Sequence, residues 1–108
     1  MKGLIKMIKD NYTMLTDFYE ITMANGFFNE GYKDKIVYFD VFYRDNPDNG
    51  GFAIAAGLEQ IVEYINDLHF GEEDIAYLRS KNCFSEEFLE YLKNFKGGGI
   101  NGCRGKVI

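Results

Sequence analysis

The sequence predicts an α+β fold, with a small antiparallel hairpin or sheet packed against about four helices. Residues 35–44 are rich in Ile, Val, Tyr and Phe, which suit a pleated strand. One face of that strand would hold Tyr38, Asp40, Phe42 and Arg44. Turn-forming residues follow at 46–51, so residues 52–55 can form the returning strand of a hairpin. From Leu58 onward the apolar residues recur at helical spacing instead.

The first helix is predicted from about Thr16 to Asn25. Asp17, followed three residues later by Glu20, has the character of a capping box with Asp17 as the N-cap. Gly26 would end this helix, because glycine is the residue most often found just past a helix C-terminus. Before the helix, Met1–Asn11 shows weak periodicity, which predicts a loosely held arm.

Three further helices are predicted after the hairpin. The first has an apolar stripe formed by Leu58, Ile61, Val62, Ile65 and Leu68. The second begins at Gly71–Asp74, where acidic residues favour a helix N-terminus, and buries Ile75 and Leu78. Ser85 caps the third helix, whose inward residues are Phe88, Leu89 and Leu92.

Composition excludes several classes of function. The chain has 108 residues, enough for one small domain, and a net charge of −5, which provides no electrostatic footprint for nucleic acid. No apolar run reaches the ~18–20 residues that cross a membrane. Residues 1–9 are too short for a signal peptide. Cys83 and Cys103 are therefore expected to be reduced thiols in a cytoplasmic protein.

Two stretches of the chain resemble the N-terminal domain of the nicotinate phosphoribosyltransferase family. The first is Leu-Thr-Asp-Phe-Tyr-Glu-Ile-Thr-Met-Ala at 15–24. The second is Phe-Asp-Val-Phe-Tyr-Arg-Asp-Asn-Pro at 39–47, followed by the Gly-Leu-Glu of residues 57–59. The resemblance covers roughly residues 12–95 and implies a family-like domain over 1–96. Residues 97–108 form a glycine-rich tail that departs from the family's pattern.

The resemblance implies a role in NAD biosynthesis. Enzymes of this family convert nicotinate, phosphoribosyl pyrophosphate and ATP to nicotinate mononucleotide, and magnesium would bind the pyrophosphate. No cofactor site is identifiable in this chain, so magnesium and ATP are expected only for the full-length enzyme. The chain resembles the front of the enzyme without its catalytic barrel, and alone it is expected to be inactive. Its expected partners are a barrel domain or a neighbouring subunit, in a homo-oligomer.

Three residues match the family's substrate-binding positions. By resemblance, Tyr19 stacks on the pyridine ring of nicotinate; spacing alone would favour a tyrosine in the core instead. Asp17 matches an acid beside the pyridine, but an ionised Asp would repel the nicotinate carboxylate, so ordering of the helix end is the alternative. Arg44 would contact a phosphate or pyrophosphate oxygen, since a guanidinium binds such groups bidentately. Its alternative is a surface ion pair with a nearby Asp.

Other interpretations of the chain are also possible. It could belong to a relative that uses nicotinamide or quinolinate, or it could be a free-standing remnant that acts as a binding or assembly module. The glycines at 97, 99 and 102 match a dinucleotide fingerprint in spacing only, because they follow a helix rather than a strand. His69, the single histidine, is expected to be solvated or to cap a helix.

Overall fold

The computed structural model describes residues 11–97 and places four α-helices within them. In chain order these are α1 (Phe18–Asn29), α2 (Leu58–Asn66), α3 (Glu72–Ser80) and α4 (Glu86–Asn94). A single 3-10 turn, Pro47–Asn49, lies in the long connection between α1 and α2. The expected number of helices is therefore present in this part of the chain.

The predicted hairpin is wrong. Between residues 11 and 97 there is no strand or sheet, and the fold of this part is helical rather than α+β. Its single β-bridge is isolated and joins His69 to Lys96, outside the predicted hairpin. The turn is present at Pro47–Asn49, but residues 35–44 and 52–55 on either side of it form no ladder.

The absence of packing explains why these β-prone residues do not pair. Strand preference reflects the fit of side chains to a covered, pleated surface more than an intrinsic backbone tendency. Here Tyr38 is 96% exposed and Phe39 is 87% exposed, so neither lies against a second layer. A two-stranded hairpin without such a layer is only marginally stable in water.

Helix α1 continues beyond its predicted end. Gly26 lies inside the helix, which ends at Asn29 with Glu30 as C-cap. Gly31 then adopts a left-handed conformation (φ 82°) and donates its N–H to the Phe28 carbonyl at 3.1 Å. Tyr32 donates to the Phe27 carbonyl at 3.0 Å, which completes a Schellman motif. The helix-ending glycine is therefore Gly31 and not Gly26.

The core lies where α1 and α3 meet α4, and it contains the inward residues predicted for the last two helices. Its buried members are Ile21, Ile75, Leu78, Phe88, Leu89 and Leu92. The cap predicted for α4 is present, and α3 begins at the predicted acidic residues. The Ser85 hydroxyl accepts the Phe88 N–H at 3.2 Å, and Asp74 accepts the Gly71 N–H at 2.8 Å. Local sequence and buried surface agree here, which makes this the most regular part of the molecule.

Polar contacts join the helices to distant segments of the chain. The Asn25 side chain accepts the Ser85 N–H at 3.1 Å, which ties α1 to the start of α4. Buried Thr13 accepts the His69 N–H at 3.1 Å through its hydroxyl oxygen. Gly97 donates to the Leu68 carbonyl at 2.9 Å. The last two bonds hold Thr13 and Gly97 beside the segment that follows α2.

Helix α2 is the least covered of the four. None of its residues is buried, and Leu58 is 54% exposed, so its predicted apolar stripe has only a partial covering within residues 11–97. No helix in that range has the length and apolar character needed to traverse a bilayer. The predicted arm up to residue 10, the tail from residue 98 and Cys103 lie outside the described residues, while Cys83 is exposed with a free thiol.

Candidate functional site

Tyr19 lies on the outer side of α1 and not in the core. Its side chain is 60% exposed, whereas Ile21 on the opposite side of the same helix is buried. This position excludes the alternative of a core tyrosine. More than half of the residue is accessible, and stacking on a flat aromatic ligand requires an accessible ring.

Asp17 occupies the N-cap position of α1, as the sequence predicts, but its side chain makes no capping hydrogen bond. Its backbone carbonyl accepts the Glu20 N–H at 3.1 Å. The Glu20 carboxylate does not bond back to Asp17, because it accepts a hydrogen bond from the Thr16 hydroxyl. The helix therefore begins between Asp17 and Tyr19. Two residues at positions i and i+2 within a helix point to different sides. Because Asp17 lies before the first helical residue, its side chain and that of Tyr19 can approach the same ligand.

Arg44 lies in the irregular connection between α1 and the 3-10 turn, with its side chain exposed. The ion pairs found within residues 11–97 join Lys33 to Asp34 and Arg79 to Glu86, so Arg44 is unpaired there. Arg79, the other arginine in this range, donates hydrogen bonds to the Glu86 carboxylate. This ion pair raises the pKa of Arg79. Of the two arginines between residues 11 and 97, Arg44 is therefore the one that forms no ion pair within that range.

An open cavity of about 430 Å³ lies between the C-terminal end of α1 and α4. Phe28, Tyr91 and Phe95 supply its aromatic wall, and the rings of Phe28 and Tyr91 are 4.9 Å apart. Asp17, Tyr19 and Arg44 do not line it. The candidate substrate residues thus lie on open surface, and the cavity is separate from them.

A metal site is not assembled in the described part of the chain. No three His, Cys, Asp or Glu side chains between residues 11 and 97 are grouped so that they could hold an ion. His69 is exposed, with its Nδ1 atom 2.7 Å from the Asp67 carbonyl at the C-cap of α2. These residues do not fit a magnesium site, so no step of a reaction is assigned to a metal held by them.

The outer side of α1 is more apolar than an exposed helix surface usually is. We define the outer face of α1 as Tyr19, Met23, Gly26 and Phe27, which lie on one side of the helix at spacings of three and four residues. Their three large side chains are 52–60% exposed. Glu20, the single charged residue of α1, follows Tyr19 directly, and the exposed C-cap Glu30 comes three residues after Phe27, so a carboxylate lies near each end of this face.

Gly26 on this face has no structural role within the described residues. It lies in the helix interior with an ordinary negative φ, and a Cβ atom built on it would meet no atom within 4 Å. Glycine in the middle of a helix destabilises it by roughly 0.5–1 kcal/mol relative to alanine. Sequence reasoning missed this feature because it interpreted Gly26 as the end of the helix. It also missed the pairing of Asn25 with Ser85, for which no local pattern exists.

Comparison with known proteins shows where the chain belongs. The profile of the nicotinate phosphoribosyltransferase (NAPRTase) N-terminal domain matches residues 14–100. The nicotinate phosphoribosyltransferase of Caenorhabditis elegans is 38% identical over 90 residues, which cover 81% of this chain and 16% of that protein. The Bacillus subtilis enzyme is 34% identical over 80 residues, covering 74% of this chain and 16% of that protein.

A third relative is nicotinate phosphoribosyltransferase pncB2 of Mycobacterium tuberculosis, which is 37% identical over 86 residues, 80% of this chain and 18% of that protein. No solved structure matches the chain significantly. The chain spans about one sixth of the length of these curated relatives, whose matched regions amount to 16–18% of each. Over most of its length, the chain belongs to the nicotinate phosphoribosyltransferase family, as a form of its N-terminal domain.

Proposed function

We propose that this chain is the N-terminal domain of an enzyme that forms nicotinate mononucleotide from nicotinate, phosphoribosyl pyrophosphate and ATP. In this proposal it contributes Tyr19 to an active site shared with a catalytic portion. The exposure of Tyr19, 60% on the outer side of α1, is the observation that carries it. A tyrosine placed there in the N-terminal domain of this family can stack on a pyridine ring delivered from outside the domain.

We assign a different role to each of the three candidate residues, because their side chains differ in charge. Tyr19 offers an uncharged ring face to the pyridine. Arg44 offers a free guanidinium, which suits a phosphate or pyrophosphate oxygen. Asp17 is at the N-terminus of α1, where a carboxylate is stabilised by the helix dipole. Because nicotinate is itself an anion, we assign Asp17 to orienting the start of the helix rather than to the substrate carboxylate.

In this proposal, the catalytic portion supplies the rest of the active site. We assign to it the magnesium and ATP of the complete reaction and the second wall of the pyridine site. Large exposed side chains support a neighbouring surface of this kind, either a barrel domain or another subunit of a homo-oligomer. Phe42 is 77% exposed, Phe52 is 75% exposed and Ile54 is 82% exposed. Large apolar side chains with this much exposure are typical of a surface that a partner covers.

The same exposed residues favour a second candidate function. A free-standing module that binds a partner through residues 36–54 would also present aromatic side chains to solvent. A relative that uses nicotinamide or quinolinate is a variant of the first proposal, because Asp17, Tyr19 and Arg44 do not distinguish the substituents on the ring. An assay of nucleotide formation with different substrates distinguishes both alternatives from the main proposal.

We expect the free 108-residue chain to form no nicotinate mononucleotide. We also expect activity from a hybrid in which residues 1–96 replace the aligned region of the Bacillus subtilis relative. The reason is that residues 11–97 contain no group of side chains that could hold a metal ion, and the candidate residues Asp17, Tyr19 and Arg44 lie outside the cavity of that range. The assay supplies nicotinate, phosphoribosyl pyrophosphate, ATP and magnesium, with nicotinamide and quinolinate as competing substrates.

The Bacillus subtilis remainder without any N-terminal domain is the control for this assay. A hybrid no more active than that control would favour the binding module. A hybrid that prefers nicotinamide or quinolinate would show that the chain belongs to a relative using that substrate. Turnover by the purified free chain would contradict the proposed sharing of the active site.

A further inference from the structure

We infer that Thr16 and Glu20 are positioning residues for Tyr19. The Thr16 hydroxyl donates a hydrogen bond to the Glu20 carboxylate, and this bond fixes the backbone from which the tyrosine ring projects. The inference rests on the proposed function and deepens it, because it names two residues that hold the pyridine-stacking ring in place through the backbone and not by contact with the substrate.

The Thr16–Glu20 hydrogen bond spans the start of α1. Thr16 lies before the helix, whereas Glu20 is the third helical residue. Asp17 lies between them at the N-cap, but its side chain makes no capping hydrogen bond. Among the side-chain hydrogen bonds within residues 11–97, the Thr16–Glu20 bond is the one that joins the preceding segment to the first turn of α1. It therefore takes the place of a side-chain cap at this helix start.

The backbone of Tyr19 is held on both sides of the residue, while its side chain is 60% exposed. Before it, the Phe18 ring packs edge-on against Phe84, with 5.8 Å between the ring centroids. After it, the Thr22 hydroxyl donates to the Tyr19 carbonyl at 2.9 Å. The direction of a helical side chain is coupled to the backbone that carries it. A bond that closes the turn around Tyr19 therefore also sets the direction of its ring.

The negative charge of Glu20 strengthens the bond to Thr16, since a hydrogen bond with one ionised partner is about twice as strong as one between neutral groups. A carboxylate is also favourable in the first turn of a helix. Both residues are exposed, so the bond adds only modestly to the stability of the whole domain. Its main effect is local, because a preorganised site tolerates displacements of only about 0.5 Å and rotations of about 10–20°.

Steady-state kinetics of the Bacillus subtilis hybrid tests this inference. We expect Thr16→Val and Glu20→Ala each to raise the apparent constant for nicotinate at least about fivefold, because a displaced ring stacks poorly. The constant for phosphoribosyl pyrophosphate and the rate at saturation should change less than about twofold. Thr16→Ser keeps the hydroxyl and Glu20→Gln keeps an oxygen acceptor, so both should retain most of the affinity. The double variant should be no worse than either single one, since both substitutions remove the same bond.

Glu90→Ala is the matched control, because the exposed Glu90 carboxylate also bonds to a side chain four residues away, that of Asn94 in α4. It should leave the constant for nicotinate unchanged. The inference would be overturned by an unchanged constant in Thr16→Val and Glu20→Ala, or by an equal rise for both substrates. Damage by Thr16→Ser equal to that by Thr16→Val, additive losses in the double variant, or an equal effect of the control would also overturn it.

Nuclear magnetic relaxation of the free 108-residue chain separates this inference from the proposed function, since it requires no activity. We expect amide order parameters of Tyr19 and Glu20 near the ~0.85 of rigid backbone, falling toward ~0.6 in Thr16→Val and Glu20→Ala, with Met23 unchanged. Such a fall, combined with an inactive parent hybrid, supports the positioning pair and contradicts the function. An active hybrid whose nicotinate constant and order parameters are insensitive to both substitutions retains the function and contradicts the positioning pair.

Discussion

Replacing Phe88 with alanine is expected to remove about 3–5 kcal/mol of the free energy of unfolding, the usual cost of deleting a buried phenylalanine ring. Phe88 is 1% exposed, and its ring centroid lies 5.7 Å from that of Phe28 and 6.0 Å from that of Phe84. It therefore joins α4 both to α1 and to the α3–α4 connection. Typical domains have only ~5–15 kcal/mol of stability, so the loss would be a large share of the total.

Urea unfolding of the 108-residue chain, followed by far-ultraviolet circular dichroism, measures this loss. Phe52→Ala is the matched control, because the same side chain is removed from a site that is 75% exposed. We expect the control to change the free energy of unfolding by no more than ~0.5 kcal/mol. Equal losses for the two variants would mean that the α1–α3–α4 cluster is not the stabilising core.

Features set by neighbouring residues could be predicted from the sequence. The Ser85 cap is an example, because its hydroxyl bonds to the N–H of a residue three positions later in the chain. The burial of Leu78 and Phe88 followed from helical spacing, since a stripe of apolar residues can face only one side of a helix. The starts of α3 and α4 could be located for the same reason, as acidic residues stand in the first turn of each.

The predicted hairpin failed because its formation depends on other parts of the molecule. Alternating aromatic residues in 35–44 fit a strand only where a second layer covers them, and within residues 11–97 no such layer is present. The prediction that Gly26 ends the first helix was wrong for a related reason. A glycine near a helix end can terminate the helix or continue it, and the Schellman bonds of Gly31 and Tyr32 decide the outcome five residues later.

For the candidate site, the sequence indicated which residues to examine but not how they are arranged. The N-cap position of Asp17 could be anticipated from its place in the sequence pattern, although its side chain makes no capping hydrogen bond. The placement of Arg44 could not, because it was derived from the register of a strand that does not form. The unpaired state of Arg44 also depends on the positions of neighbouring acids, which spacing in the sequence does not determine.

In the Bacillus subtilis hybrid, Tyr19→Ala is expected to weaken the apparent affinity for nicotinate, while Tyr19→Phe has a much smaller effect. Stacking requires the ring face, which phenylalanine keeps and alanine loses. An aromatic pair contributes ~0.5–1.5 kcal/mol beyond the area it buries, so the alanine variant should lose at least about two- to tenfold. If the hydroxyl group carries the role, phenylalanine should be as damaging as alanine.

Arg44→Ala in the same hybrid is expected to act on the other substrate. A hydrogen bond to a charged group contributes ~1.5–3 kcal/mol, so the apparent constant for phosphoribosyl pyrophosphate should rise about tenfold or more, with that for nicotinate changed much less. Arg44→Lys should recover only part of the loss, because an ammonium cannot bind a phosphate bidentately. Steady-state kinetics with each substrate varied separately distinguishes the two residues. If Tyr19→Ala and Arg44→Ala affect both substrates equally, these residues support the structure of the domain and do not contact the substrates.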